Sequence, residues 1–170
     1  MATTLISVAE YLATSYRPDR EYIDGRIEER HLGEYDHANL QGALIFWFRQ
    51  RQHEWNIRVL PEQRVQVSPT HFRVPDVTII DRTESVEQIL AKPPLAVIEV
   101  LSPEDTWPRT EERIADYLAF GIAYIWILEP STRQAWAVSA EEGRRQKVEV
   151  LEIPNSPITV SLEDLFRELD

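Results

Sequence analysis

The chain has 170 residues, 43% hydrophobic and 28% charged, with a formal net charge of −11 and no cysteine. That length suits one domain over residues 1–170, and the missing thiols exclude disulfides and thiolate zinc sites while agreeing with a cytoplasmic setting. A protein held on nucleic acid by charge alone should be basic. This chain is acidic and its cations are 16 Arg against 2 Lys, so it either binds no polyanion or reaches one through a bridging divalent cation.

The opening stretch, MATTLISVAEYLATSYRPDREY, carries no basic leader and no long apolar run, so neither a signal peptide nor a membrane span is expected. Ser7 and Glu10 have capping-box spacing and predict a short helix ending near Ser15. Asp24-Gly25 within EYIDGRIEER predicts a hairpin turn. From His37 to His53, Leu40, Ala43, Leu44, Trp47 and Phe48 recur at helical spacing. Two short extended segments follow around Pro61, then a strand over 72–81, FRVPDVTIID, with Val74, Asp76, Thr78 and Ile80 on one face. Pro75 has no amide proton, which puts that part of the strand at its start, an edge or a bulge. A polar connector with a possible short helix over 84–91 leads to the strand LAVIEVLS, 95–102. A second helix follows, with Pro108 in its first turn and Ile114, Tyr117, Leu118 and Gly121 as its inner stripe. AYIWILEP, QAWAVS and KVEVLEI read as strands, and SLEDLFREL as a terminal helix. The order predicts an α/β or α+β domain, a mixed sheet flanked by helices.

Two of these strands carry a carboxylate among apolar residues, Asp76 and Glu99. A lone buried charge is costly and ends up paired, protonated or bound to metal. If the strands are neighbours in register, the two acids project to the same side. Without a cation one of them keeps its proton; with Mg²⁺ or Mn²⁺ between them both serve as ligands. A metal so held activates water and neutralises charge on a phosphate. Taken singly, a carboxylate in a strand is more often on a wet edge or paired with an arginine.

Val-Pro-Asp76, then Ile-Glu99-Val-Leu-Ser-Pro103, then a helix with Tyr117-x-x-x-Gly121 and the strand Tyr124-Ile-Trp126 resemble the Uma-type putative restriction endonuclease family, within the PD-(D/E)XK nuclease superfamily. The likeness extends upstream to Glu21-Tyr-Ile-Asp-Gly25 and His37-x-x-Leu40-x-x-x-Leu44, and covers about residues 7–130. It implies a restriction-endonuclease-like core, DNA as substrate, and Asp76, Glu99 and the carbonyl of Val100 as metal ligands. It also implies that Glu21 faces the site and that His37 contacts phosphate or substrate. For Glu21 a solvated hairpin position is the alternative; for His37, a helix cap or a pair with Asp36. Arg73, just before the first acid, is a candidate phosphate contact or a surface charge at a strand end.

The sequence departs from the superfamily pattern at one point. The Lys expected two residues after the second acid is Leu101, and the Uma-type position on the following helix, four residues before the Tyr, is Arg113. Arg113 and Tyr117 lie one helical turn apart. Arginine does not lose its proton, so a general-base role is closed to it, while holding phosphate or stabilising transition-state charge is open. The plain alternative is a surface ion pair with Asp116. Lys92 lies about 23 Å from Glu99 along an extended strand. The favoured reading is a Mg²⁺- or Mn²⁺-dependent endonuclease, weakened by Arg113. The alternatives are a non-catalytic binding or assembly module of the same fold, and a metal-free two-carboxylate glycosidase. The acidic charge suits a homodimer or a partner for holding DNA, a dimer built on the later strands.

Overall fold

The computed structural model describes residues 4–31 and 33–170. Local signals set the first elements. Ser7 accepts a hydrogen bond from the Glu10 amide and starts α1 (Val8–Ala13). Asp24 and Gly25, at φ 47° and 87°, turn β1 (Glu21–Ile23) into β2 (Arg26–Glu28), since only the left-handed region closes so tight a hairpin. The 3.6-residue recurrence of Leu40, Leu44 and Phe48 produces α2 (Tyr35–Arg51), which begins two residues before His37.

The run 72–81 does not form one strand. It divides into β5 (His71–Arg73) and β6 (Val77–Asp81), and Val74-Pro75-Asp76 carries the chain from one sheet to another. Pro75 cannot donate to a ladder, so pairing stops there. β5 lies in a four-stranded sheet of order β2-β1-β5-β4, with β4 (Val65–Ser68) at its edge. β6 lies in a six-stranded sheet of order β10-β9-β8-β7-β6-β3. Its members are β3 (Ile57–Pro61), β6, β7 (Ala96–Val100), β8 (Tyr124–Glu129), β9 (Gln134–Ser139) and β10 (Gln146–Val148). All its pairs are antiparallel except β7 with β8, which are joined by the crossover helix α3 (Trp107–Phe120). Gly121, at φ 103°, ends α3 in the left-handed cap that glycine permits.

Two further expectations are corrected. No helix forms over 84–91; the Leu90 amide and carbonyl bond to Arg64 and Gln66 instead, and its side chain is buried beside β4. One or two helical turns are not self-sustaining, and the paired edge of Val65 captures this segment first. KVEVLEI likewise divides, because β10 pairs with β9 whereas β11 (Val150–Glu152) pairs with β12 (Thr159–Ser161). That switch buries Leu151 under α2, together with α4 (Leu162–Phe166).

The six-stranded sheet is covered on both faces. Leu40, Leu44 and Phe48 of α2 pack on Val77, Ile79, Ile98, Val100, Trp126 and Leu128. Ile114 and Tyr117 of α3 pack on Val97, Ile125, Ile127 and Val138. Phe48 is fully buried, stacked on Trp126 with ring centroids 6.4 Å apart and edge-on to Trp55 at 6.0 Å. Among the described residues, no helix is long and apolar enough to cross a membrane. Because the strands of this layer could not close around the lost ring, Phe48→Ala is expected to lower stability by about 3–5 kcal/mol. Urea unfolding monitored by tryptophan fluorescence checks this, and a loss under about 1 kcal/mol would show that α2 is not anchored there.

Candidate active site

The register of β6 against β7 pairs Val77 with Ile98 and Thr78 with Val97. Continued by one residue toward the Pro75 break, it sets Asp76 opposite Glu99. Directly opposed residues of an antiparallel pair share a face; Glu99 meets Tyr117 of α3, and both acids border one small cavity with Arg113. Both side chains are buried, each 4% exposed. The Asp76 carbonyl accepts from Gln41 Nε2 on α2 at 2.9 Å and from the Glu62 amide at 3.3 Å. Its Oδ2 accepts from the Val100 amide at 2.8 Å, and its Oδ1 from Arg30 Nη2 at 2.7 Å. His37, in the first turn of α2, brings Nε2 to 3.4 Å from Oδ2. Burial opposes ionisation of Asp76, but His37, Arg30 and the Val100 amide outweigh it and hold its pKa below the usual aspartate range.

Glu99 is less well compensated. Tyr117 donates its hydroxyl proton to Glu99 Oε1. Burial is the largest influence and raises its pKa; Arg113 pulls it down, Asp76 and Glu21 push it up, and it settles at about 7. A carboxyl beside a like charge in a dry layer stays partly protonated.

Behind this pair lies a second layer of charge. Glu21 is 1% exposed, so it is not a solvated hairpin residue. Its Oε1 accepts from the Val74 amide at 3.0 Å and its Oε2 from Arg73 Nη1 at 2.8 Å, while Arg113 Nε stands 3.5 Å from Oε2. Burial would raise the Glu21 pKa, yet Arg113 and Arg73 hold it below the ordinary value. Arg73 is 3% exposed and committed on its other side to Asp116, 2.7 Å from Nε. It is therefore not a surface charge, and it reaches the acid pair only through Glu21. Arg113 is buried between Glu21, Glu99 and Asp105, whose Oδ1 lies 3.6 Å from Nη1, rather than paired with Asp116. These acids raise its pKa further, so it is a permanent cation.

His37 neither caps its helix nor pairs with Asp36; it turns to Asp76. Its Nδ1 is buried without a hydrogen-bond partner, against Gly33, where a Cβ would come within 2.5 Å of that nitrogen. Lys92 is exposed beside Glu84, 3.9 Å away, and Lys147 is exposed on β10, so neither replaces the missing lysine. The residues that sequence reasoning missed are Arg30, Gln41 and Asp105. Arg30 and Asp105 lie in irregular segments without periodicity, and Gln41 is one of several polar residues on α2, so only the tertiary structure selects them.

Arg30, His37, Asp76, Glu99, Val100 and Arg113 border a cavity of about 10 Å³, on the order of one water molecule. Among the described residues, no trio of His, Cys, Asp and Glu side chains is gathered to hold an ion by side chains alone. Two buried carboxylates that resist joint ionisation fit Mg²⁺ or Mn²⁺, which bind oxygen and complete their shells with water. The donor set thus fits a hard divalent ion, on the condition that Arg30 leaves Asp76 Oδ1.

A sequence model described as "Uma2: Putative restriction endonuclease" matches residues 8–170. Among solved structures, a "putative nuclease belonging to DUF820" from Anabaena variabilis ATCC 29413 superposes with a TM-score of 0.85 at 20% identity, covering 97% of this chain and 99% of that one. At that identity the likeness shows the fold. No curated protein matches.

The raised Glu99 pKa has a consequence for stability. Between the ordinary glutamate value of 4.5 and about 7, the folded state binds more protons than the unfolded state. Stability from this group is therefore full below pH 4.5 and is lost as pH rises toward 7. With divalent ions chelated, Glu99→Gln is expected to remove this decline and to be the more stable of the two proteins at pH 8, by about a few kcal/mol. Thermal melts from about pH 4 to 8 in EDTA check it; parallel curves for the two proteins would contradict it.

Proposed function

Because the chain belongs to the Uma2 family, described as putative restriction endonucleases, we propose that it is a metal-dependent endonuclease hydrolysing DNA phosphodiesters at Asp76 and Glu99. The observation that carries this reading is the facing of these two buried acids across one strand pair, with Arg113 beside Glu99. Asp76, Glu99 and the Val100 carbonyl would hold Mg²⁺ or Mn²⁺, which when bound lowers the pKa of a water and screens phosphate charge.

This chain's own residues do the rest. Val100 and His37 fix Asp76 in its ionised form. Tyr117 fixes the rotamer of Glu99. Arg113 offers a guanidinium to the charge that builds on the phosphoryl oxygens as water attacks, and Glu21 orients it. The attacking water releases a proton to solvent as its oxygen bonds to phosphorus, the bond from phosphorus to the leaving sugar oxygen breaks, and that oxygen takes up a proton from solvent. His37 lines both the acid cavity and a neighbouring cleft at the ends of β7 and β8, so it sits where substrate would enter. Arg73 works at one remove, by holding Glu21. The reading includes DNA as the partner, a cytoplasmic location consistent with the absence of cysteine, and a homodimer that offsets the acidic charge.

Two observations favour a second reading, a nuclease fold that binds or assembles without cutting. Arg30 sits on Asp76, and arginine stands where the family pattern has lysine. Cleavage assays on supercoiled and linear DNA with Mg²⁺ or Mn²⁺ separate the two. We expect cutting that EDTA stops, that Asp76→Ala and Glu99→Ala each reduce by about 100-fold or more, and that Arg113→Lys maintains or raises. Equal rates in the wild type and Asp76→Ala would reject the nuclease reading; no cutting by the wild type with metal bound would favour the binding module.

A further inference from the structure

Arg30 donates to Asp76 Oδ1 at 2.7 Å, and no sequence pattern marks it. Its side chain is 11% exposed and forked between two carboxylates. Nη2 lies 2.7 Å from Asp76 Oδ1 and Nη1 lies 3.3 Å from Glu62 Oε1. The two acids differ in kind. Asp76 is buried and hydrogen-bonded by Val100, whereas the Glu62 side chain is 51% exposed. Glu62 is nevertheless placed with care. It adopts φ 49°, unusual for a non-glycine residue, and its amide bonds to the Asp76 carbonyl, so its side chain emerges next to the acid it shares. Arg30 also borders both the acid cavity and an open cleft of about 720 Å³, lined besides by His31, Arg109 and the four glutamates Glu28, Glu29, Glu104 and Glu112. It therefore stands between solvent and the acid pair.

We infer that Arg30 is a displaceable counter-ion for Asp76, which gives way to a divalent cation, shifts onto Glu62 and stays beside the acid pair, where a substrate phosphate would lie. The inference rests on the proposed nuclease function and deepens it. A carboxylate oxygen that already accepts a guanidinium hydrogen bond is a poor ligand for a second cation, and a positive charge beside the site repels an arriving metal ion. Buried without Arg30, Asp76 would face solvent-free space with less cationic support while metal is absent. Arg30 thus keeps the site assembled before the metal binds. The half-exposed Glu62 gives the guanidinium a partner after it leaves. There its fork has the planar geometry that suits phosphate oxygens.

Free Mn²⁺ measured by electron paramagnetic resonance, titrated into metal-stripped full-length protein, tests this without reference to turnover. Arg30→Met keeps the packed stem and removes the charge, and should tighten Mn²⁺ binding by about tenfold or more. Arg30→Lys, a compact cation that cannot span both acids, should fall between Arg30→Met and wild type. Glu62→Gln removes the alternative partner and should weaken Mn²⁺ binding relative to wild type. In saturating Mn²⁺, Arg30→Met should cut DNA about 10-fold or more slowly despite its tighter metal. Melting curves of the stripped proteins establish that each variant folds. Unchanged or weaker Mn²⁺ binding by Arg30→Met, or no effect of Glu62→Gln, would overturn the inference while wild-type binding and cleavage leave the nuclease reading standing. A wild-type protein that neither binds Mn²⁺ nor cuts DNA would overturn both.

Discussion

The burial of two carboxylates opposite one another, on adjacent strands, governs the arrangement of charge in this molecule. Neither Asp76 nor Glu99 can be left unbalanced in a layer that also contains Val97, Ile125 and Ile127. The cations of the interior are accordingly drawn toward them: Arg30 and His37 to Asp76, and Arg113 to Glu99. Arg73 and Glu21 form a second rank that holds Arg113 in place. The compensation is uneven. Asp76 receives hydrogen bonds on both oxygens, whereas Glu99 has the tyrosine hydroxyl and a nearby guanidinium, and its pKa rises.

This unevenness costs folding free energy, a cost that the proposed role of the two acids would account for. A hydrophobic replacement of a buried charge cluster is often neutral or stabilising, and local rules of sequence design are broken most often at functional positions. The surrounding scaffold is built to withstand the cost. α2 and α3 clamp the sheet from both faces with fully buried Leu40, Leu44, Phe48 and Tyr117. Tyr117 serves both ends, since its ring fills the core under α3 and its hydroxyl reaches Glu99.

Much of the fold was legible because its signals are local. Ser7 with Glu10, Asp24 with Gly25, the stripe of α2, and Pro108 and Gly121 at the two ends of α3 each specify a geometry over a few residues. The acid pair was legible for a different reason: a charge inside an apolar strand is an anomaly that needs a partner. What the sequence concealed was pairing that depends on distant chain. Pro75 announced a break but not that β5 and β6 belong to separate sheets. Val148 and Val150 read as one strand although each finds a different neighbour. Arg30 carried no signal, because an arginine in a polar connector resembles a solvated charge until tertiary structure folds it onto Asp76.

The passage of the chain through Val74, Pro75 and Asp76 from the smaller sheet to the larger has a consequence for engineering. The segment from Asp76 through β8 looks like a portable cassette, with both acids, Arg113 and Tyr117 in one continuous stretch. Transplanted alone, it would leave Glu21 and Arg30 behind with the hairpin, strip Arg113 of its orienting carboxylate, and expose Asp76 at a frayed strand end. Any recombination that preserves this arrangement of charge must swap the hairpin along with the cassette, so crossover points belong before β1 and not between the two sheets.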